Sequence, residues 1–135
     1  MSSPQIALQD ALLKRLREDV GVTALVPAMK ILDRNARPVV EPSITIGTDQ
    51  GVDAGYIERD VTTVYHTLHI WKKETGLIGA KFIAAAITKA VKKARFEAVD
   101  GYHFADCFVS DTLFLRDEDF SHGVVTVRAI VQEVA

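Results

Sequence analysis

A chain of 135 residues, 48% hydrophobic and 25% charged, is long enough to bury one core and too evenly mixed for a disordered or fibrous protein. Its 16 basic and 18 acidic residues leave a formal charge of −2, so no overall positive field draws it to nucleic acid or to an anionic membrane. The single Cys107 excludes an internal disulfide, no apolar run reaches the roughly 18 residues of a membrane span, and Asp10 and Lys14 stand where a signal peptide would be apolar; a protein made in a cytoplasm is expected.

Ser3-Pro4 opens the first element, with Ser as N-cap and Pro at the first helical position. Ile6, Leu8, Leu12, Leu13, Leu16 and Val20 then recur at helical spacing, with Asp10, Lys14, Arg17 and Glu18 on the other side, and Gly21 is expected to end the helix. Residues 30–34 (KILDR) and 43–47 (SITIG) read as two short strands joined by a proline-containing loop. Residues 47–60 (GTDQGVDAGYIERD) hold three glycines and five charges without a period, which predicts a long mobile loop.

Residues 61–72 alternate, with Val64, Leu68 and Ile70 on one face and Tyr65, Thr67, His69 and Trp71 on the other, and form the clearest strand. Residues 77–95 predict a second helix, entered through Thr75-Gly76. Its apolar stripe is Phe82, Ile83, Ala86, Ile87, Ala90, Val91 and Ala94, and Lys81, Lys89, Lys92, Lys93 and Arg95 decorate the remainder. Residues 102–116 and 124–134 predict a hairpin turning over residues 117–123. This order, α-β-β-β-α-β-β, predicts an α+β fold. One domain over residues 1–135 would carry a mixed, mostly antiparallel sheet of about five strands, with two helices packed mainly on one face. The other face, with Tyr65 and Trp71, would need the long loop or another subunit to cover it.

Chemistry is scarce. His66 and His69 are three apart, which on a strand sends them to opposite faces and argues against a shared metal ion; no Ser or Cys stands in a recognisable nucleophile context. Gly47, Gly51 and Gly55 lie in an acidic segment with no helix behind it, unlike a phosphate cradle, and the acids there lack the alternation of a calcium loop. No catalytic, cofactor-binding or metal-ligating residue is therefore assigned. The basic face of residues 81–95 could meet phosphates, face solvent, or meet an acidic surface such as residues 47–60 of a neighbouring copy.

Several phrases occur in order along the chain: Val20-Gly-Val-Thr-Ala-Leu-Val26, Ile31-Leu-Asp-Arg34, Pro42-Ser-Ile-Thr-Ile-Gly47 and Leu68-His-Ile-Trp71 running through Gly76 into an Ala-rich helix. Phe114-Leu-Arg116 with Asp117, and His122-Gly-Val-Val-Thr-Val-Arg-Ala-Ile-Val131, complete the set. Together they resemble the tail-completion, or tail-terminator, family of long-tailed bacteriophages and gene transfer agents. The likeness departs at Pro42-Ser43, where an aromatic residue is common, and at Asp117-Glu-Asp-Phe120, which replaces a Pro- or Gly-containing turn.

The resemblance implies a virion protein of the tail or neck without catalysis. It would form a ring, typically a hexamer, that caps the head-proximal end of the tail tube, stops its polymerisation and docks the head connector. Its partners would be further copies of itself, the major tail tube protein and the connector or stopper, with genomic DNA passing through the lumen without sequence-specific binding and no membrane. The rival readings are a neck or head-closure protein and a nucleic-acid-binding module using the basic helix. The expected contact residues, inferred from this chain, are Asp49, Asp53, Tyr56 and Glu58 in the loop, Tyr65 and Trp71 on the sheet, and Lys89, Lys92 and Lys93 on the helix.

Overall fold

The Ser3 hydroxyl accepts a hydrogen bond from the Ile6 amide at 3.2 Å, so the sequence's Ser-Pro start caps helix α1 (Pro4–Glu18) as expected. The structure, a computed structural model, describes residues 3–33, 40–53 and 61–133. Ala7, Leu8, Leu12 and Leu16 of α1 are fully buried, but Ile6 and Val20, expected on the same stripe, stand 51% and 78% exposed. The helix stops earlier than Gly21. Asp19 leaves the helical conformation, and its carboxylate caps a second short helix, α2 (Val20–Thr23), by accepting from the Val22 amide at 3.0 Å. Val20 thereby starts a new axis and its side chain turns to solvent.

A 3-10 turn (Ala28–Lys30) leads into β1 (Ile31–Leu32); of the expected 30–34, Lys30 closes the turn instead and Arg34 lies outside the described residues. The sheet continues with β2 (Ser43–Asp53) and β3 (Val61–Lys73), crosses through helix α3 (Ile78–Lys92), and ends in the long hairpin β4 (Tyr102–Asp117) and β5 (Phe120–Glu133). Strand order is β1-β2-β3-β5-β4, parallel at β1–β2 and antiparallel elsewhere. The fold is thus α+β with one five-stranded mixed sheet, and both long helices pack on the same face.

That face supplies the core. Val64, His66, Leu68 and Ile70 of β3 and Val125, Val127, Ala129 and Val131 of β5 are buried against Leu8, Leu12, Ile83, Ile87 and Val91 of the helices. Truncating one of these, as in Leu68→Ala, costs about 2–5 kcal/mol in cores of this kind. Arg15 ties the two long helices together: its guanidinium donates to the carbonyls of Ala90, Ala94 and Arg95 at 2.9, 3.0 and 3.2 Å and lies 3.9 Å over the Phe96 ring. The Ala90 carbonyl also accepts from the Lys93 amide at 3.4 Å, and those of Ala94 and Arg95 follow the end of α3, so one side chain caps the helix terminus and fixes its crossing with α1.

Two further boundaries differ from the sequence reading. Residues 47–53, expected in a loop, extend β2 past an irregularity between Ile46 and Asp49, and pair with Thr62–His66 of β3. The alternation is missing because residues 48–53 are exposed on both faces, so no core demanded it. Strand β5 begins at Phe120 rather than residue 124, and the hairpin turns over Glu118-Asp119 alone, with Glu118 at φ 54° in place of glycine. Helix α3 runs 78–92 rather than 77–95, leaving Ala94 exposed.

Glu74 starts α3 from outside it. Its carboxylate accepts from the Gly79 and Ala80 amides at 2.9 and 3.1 Å and from the Ser121 hydroxyl, doing the work that Leu77, at the N-cap position, has no side chain to do. Burial alone would raise this carboxyl; the hydrogen bonds from Ser121, Gly79 and Ala80, with Lys72 nearby, outweigh it and hold the group below its usual range.

Candidate interaction surfaces

Three surfaces remain once the core is accounted for, and they fall on different parts of the sheet. The first is the outer end of β2–β3. Asp49 and Asp53 are exposed there, and Asp49 also reaches inward, with Oδ2 at 3.6 Å from Nδ1 of buried His66. Tyr56 and Glu58 lie outside the described residues.

The second is the outer side of α3. Lys81, Lys89, Lys92 and Lys93 are exposed along it, as the sequence predicts. Phe82, expected in the buried stripe, is instead 60% exposed and, with Asp19, Gly21, Ala85, Lys89 and Lys93, lines an open groove of about 520 Å³ beside α2. The core side of α3 is filled by the small Ala80, Ala84 and Ala90 with Ile83, Ile87 and Val91, which leaves position 82 turned out. Lys93 Nζ stands 3.7 Å from Asp19 Oδ1; among the described residues Lys89 and Lys92 form no ion pair.

The third surface is the sheet face that carries no helix. Tyr65, Thr67, His69 and Trp71 of β3 lie there beside Phe120, His122 and Val124 of β5 and Leu113 and Leu115 of β4, since cross-strand partners share a face. Trp71 stacks on His122 with ring centres 4.0 Å apart and planes 9° off parallel, and meets Phe120 edge-on at 6.4 Å. Nδ1 of His69 and Nε2 of His122 lie 2.6 Å apart. His66 points the other way into the core, so the two histidines of β3 do occupy opposite faces.

Cys107 lies half-buried on the helix side of β4 facing Ala129, and burial pushes its thiol up to about 12, as suits a packing residue rather than a nucleophile. Among the described residues there is no group of three or more His, Cys, Asp or Glu placed to hold a metal ion, and no helix long and apolar enough to cross a membrane.

Residues 10–132 match the family described as "Tail completion protein gp17". The chain belongs to that family. It is accordingly a structural component of a phage-type virion, and its fold recurs in solved structures. In the structure described as "Virion of native gene transfer agent (GTA) particle", one chain superposes with a TM-score of 0.85 at 22% identity, over 98% of this chain and 99% of that one. The structure of bacteriophage SPP1 gp17 protein superposes with a TM-score of 0.59 at 17% identity, over 91% and 87% of the two chains. At such identities these likenesses speak for the fold. No curated protein matches.

Within one copy of the chain, the expected contact residues do not form a single site. Tyr65 and Trp71 share the helix-free face, Lys89, Lys92 and Lys93 share α3, and Asp49 and Asp53 sit on β2. Sequence reasoning missed His122, whose partners are 53 and 51 residues away, and the groove at Phe82; only the β3–β5 register brings the former together, and only the earlier stop of α1 opens the latter.

Proposed function

We propose that this protein works as a ring of identical copies, six by family resemblance. The ring caps the head-proximal end of the tail tube, stops tube polymerisation and joins the tail to the head connector. DNA passes through its lumen, the whole chain acts as one tail-terminator-like domain, and no catalysis is involved. Family membership over residues 10–132 carries this reading.

The layout of the surfaces supports it. Helix α3 lies over β3, β5 and β4, while the acidic outer end of β2 lies toward the opposite edge of the sheet. A closed ring needs two different surfaces on one subunit, each meeting the other on the next copy. Opposite charge on opposite flanks meets that need: Asp49 and Asp53, continued in sequence by Tyr56 and Glu58, would face Lys89, Lys92 and Lys93 of the adjacent copy, while Tyr65 and Trp71 offer a separate contact face. Sedimentation velocity and negative-stain imaging at rising concentration, with and without purified tail tubes, test the proposal. Rings, or tubes capped at one end, are expected; a protein that stays monomeric and leaves tube growth unaffected refutes it.

A further inference from the structure

The contact between His69 and His122 has unusual geometry for two neutral imidazoles. Their ring centres are 4.9 Å apart, about as far as a 2.6 Å contact between Nδ1 and Nε2 allows, so the two nitrogens point at each other along the line of centres with planes only 24° apart. A transition metal held about 2.0–2.1 Å from each nitrogen has no room between atoms so placed. A proton does: one ring donates its N–H and the other accepts.

The surroundings hold the pair in this arrangement. His122 is backed by the Trp71 ring, and His69 lies over Gly47, where a Cβ would overlap His69 Nε2 and Thr67 Oγ1. Glycine at 47 is what lets the imidazole lie flat there. From β2, Thr45 and Ser43 face His69 and Trp71, both buried and, among the described residues, neither hydrogen-bonded through its hydroxyl. Among the described residues, the charged groups at this end of the face are Lys73 at the end of β3, the Glu41 carboxylate that accepts from the Lys73 amide at 3.2 Å and lies 3.6 Å from Lys72 Nζ, and Asp117 of β4, which attracts His122; Arg128 and Asp111 share the face farther along β5 and β4. β5 presents only Phe120 and Val124 beside His122 on this face.

We propose that His69 and His122 form a proton-counting clasp on the helix-free face: it holds through the uptake of one proton and opens on the second, breaking the stack on Trp71. The counting follows from valence. In the neutral pair one N–H lies between the rings and the other ring proton is outside. A first added proton goes to an outer nitrogen, leaves the inner hydrogen bond in place and makes it charge-assisted, hence stronger. A second puts an N–H on both inner nitrogens, so two donors and two positive charges face each other at 2.6 Å with nothing to accept, and the rings must part. The two histidines therefore titrate as one coupled unit. Burial, with His69 adding to it at His122, also disfavours the doubly charged state, and Asp117 only partly opposes this. A flat, neutral aromatic platform thus becomes a charged and rearranged one as pH falls.

Trp71 is the chain's only tryptophan, so its emission reads the stack directly. In the unmodified full chain, titration from about pH 8 to about pH 4 should move Trp71 emission in two steps separated by at least about one pH unit, and the imidazole C–H resonances of His69 and His122 should shift together in both. His69→Gln should leave His122 and Trp71 with one step only. The proposal is overturned if the two histidines titrate independently in the unmodified chain, or if Trp71 shows the same profile in the His69→Gln variant. The resonance titration alone decides the matter should that variant not fold.

Discussion

Acidification should destabilise this protein well above the carboxylate range, and His66 is a main reason. Its side chain is 0% exposed on the core face of β3, and among the described residues neither ring nitrogen has a hydrogen-bond partner. Burial pushes the imidazole below its ordinary 6.5, and Asp49 opposes this only in part; at 3.6 Å the contact is too long for a hydrogen bond and acts by charge. The unfolded chain takes up the proton near 6.5 while the folded chain declines it. The stabilising contribution is therefore fully present above 6.5 and is lost as pH falls from there toward the folded value. The slope for one such group is about 1.4 kcal/mol per pH unit. The second proton on the His69–His122 pair, disfavoured by burial and by the first, steepens the fall further down. His66→Leu keeps an apolar side chain of comparable bulk and removes both orphan nitrogens, so it should be at least as stable as the parent at about pH 7.5 and lose less stability than the parent by about pH 5.5. Urea denaturation at the two pH values, at one fixed protein concentration, measures this. Equal pH dependence in parent and variant, or a parent that gains stability on acidification, refutes the reasoning.

Glu74→Ala removes the acceptor for Gly79, Ala80 and Ser121 and should lower stability by about 2 kcal/mol, read as a drop in Tm, with Glu74→Gln between the two. Because the Glu74 carboxyl is held low, its contribution is present above the carboxylate range and disappears as pH falls through it, which separates it from the histidine effect. Arg15→Ala takes the guanidinium away from the carbonyls of Ala90, Ala94 and Arg95 and uncovers Phe96; a loss of about 2–3 kcal/mol is expected in urea, and Arg15→Lys should recover only part of it, having no planar fork. Lys89→Glu combined with Lys92→Glu, both exposed and unpaired among the described residues, should change the subunit's stability by no more than about 0.5 kcal/mol while shifting sedimentation away from rings.

Elements that bury one face were legible from the residues alone. Strand β3 alternates because its odd and even side chains meet different surroundings, and α1 and α3 show helical spacing because one side of each faces the sheet. The outer part of β2 was not legible: Thr48–Asp53 buries neither face, so nothing imposed a period, and backbone pairing with β3 alone makes it a strand. Phe82 and Val20 misled for the converse reason, being apolar residues at core spacing that the change of axis at Asp19 and the small residues of α3 leave outside. The His69–His122 contact could not be read from either segment, because register between strands of a sheet is set by the whole pairing and not by local spacing.

The helix-free face also changes which residues a neighbour has most reason to cover. Trp71 was expected to need the long loop or another subunit to cover it; stacking on His122 and the edge of Phe120 leave it half-buried within its own copy. The apolar area that stays in water lies elsewhere. On β4, at the free edge of the sheet, Leu113 and Leu115 are 57% and 38% exposed on that face; on the other side of the molecule, Phe82 and Ile78 are 60% and 65% exposed along α3. Burying apolar surface yields about 25 cal/mol per Å², whereas exposed ion pairs are worth about 1 kcal/mol or less and weaken with salt. A ring held by lysines and acids alone would therefore come apart in moderate salt. If Phe82 and the β4 leucines carry the contact, the basic and acidic surfaces instead set the orientation in which copies meet, and salt slows assembly without dissolving rings already formed.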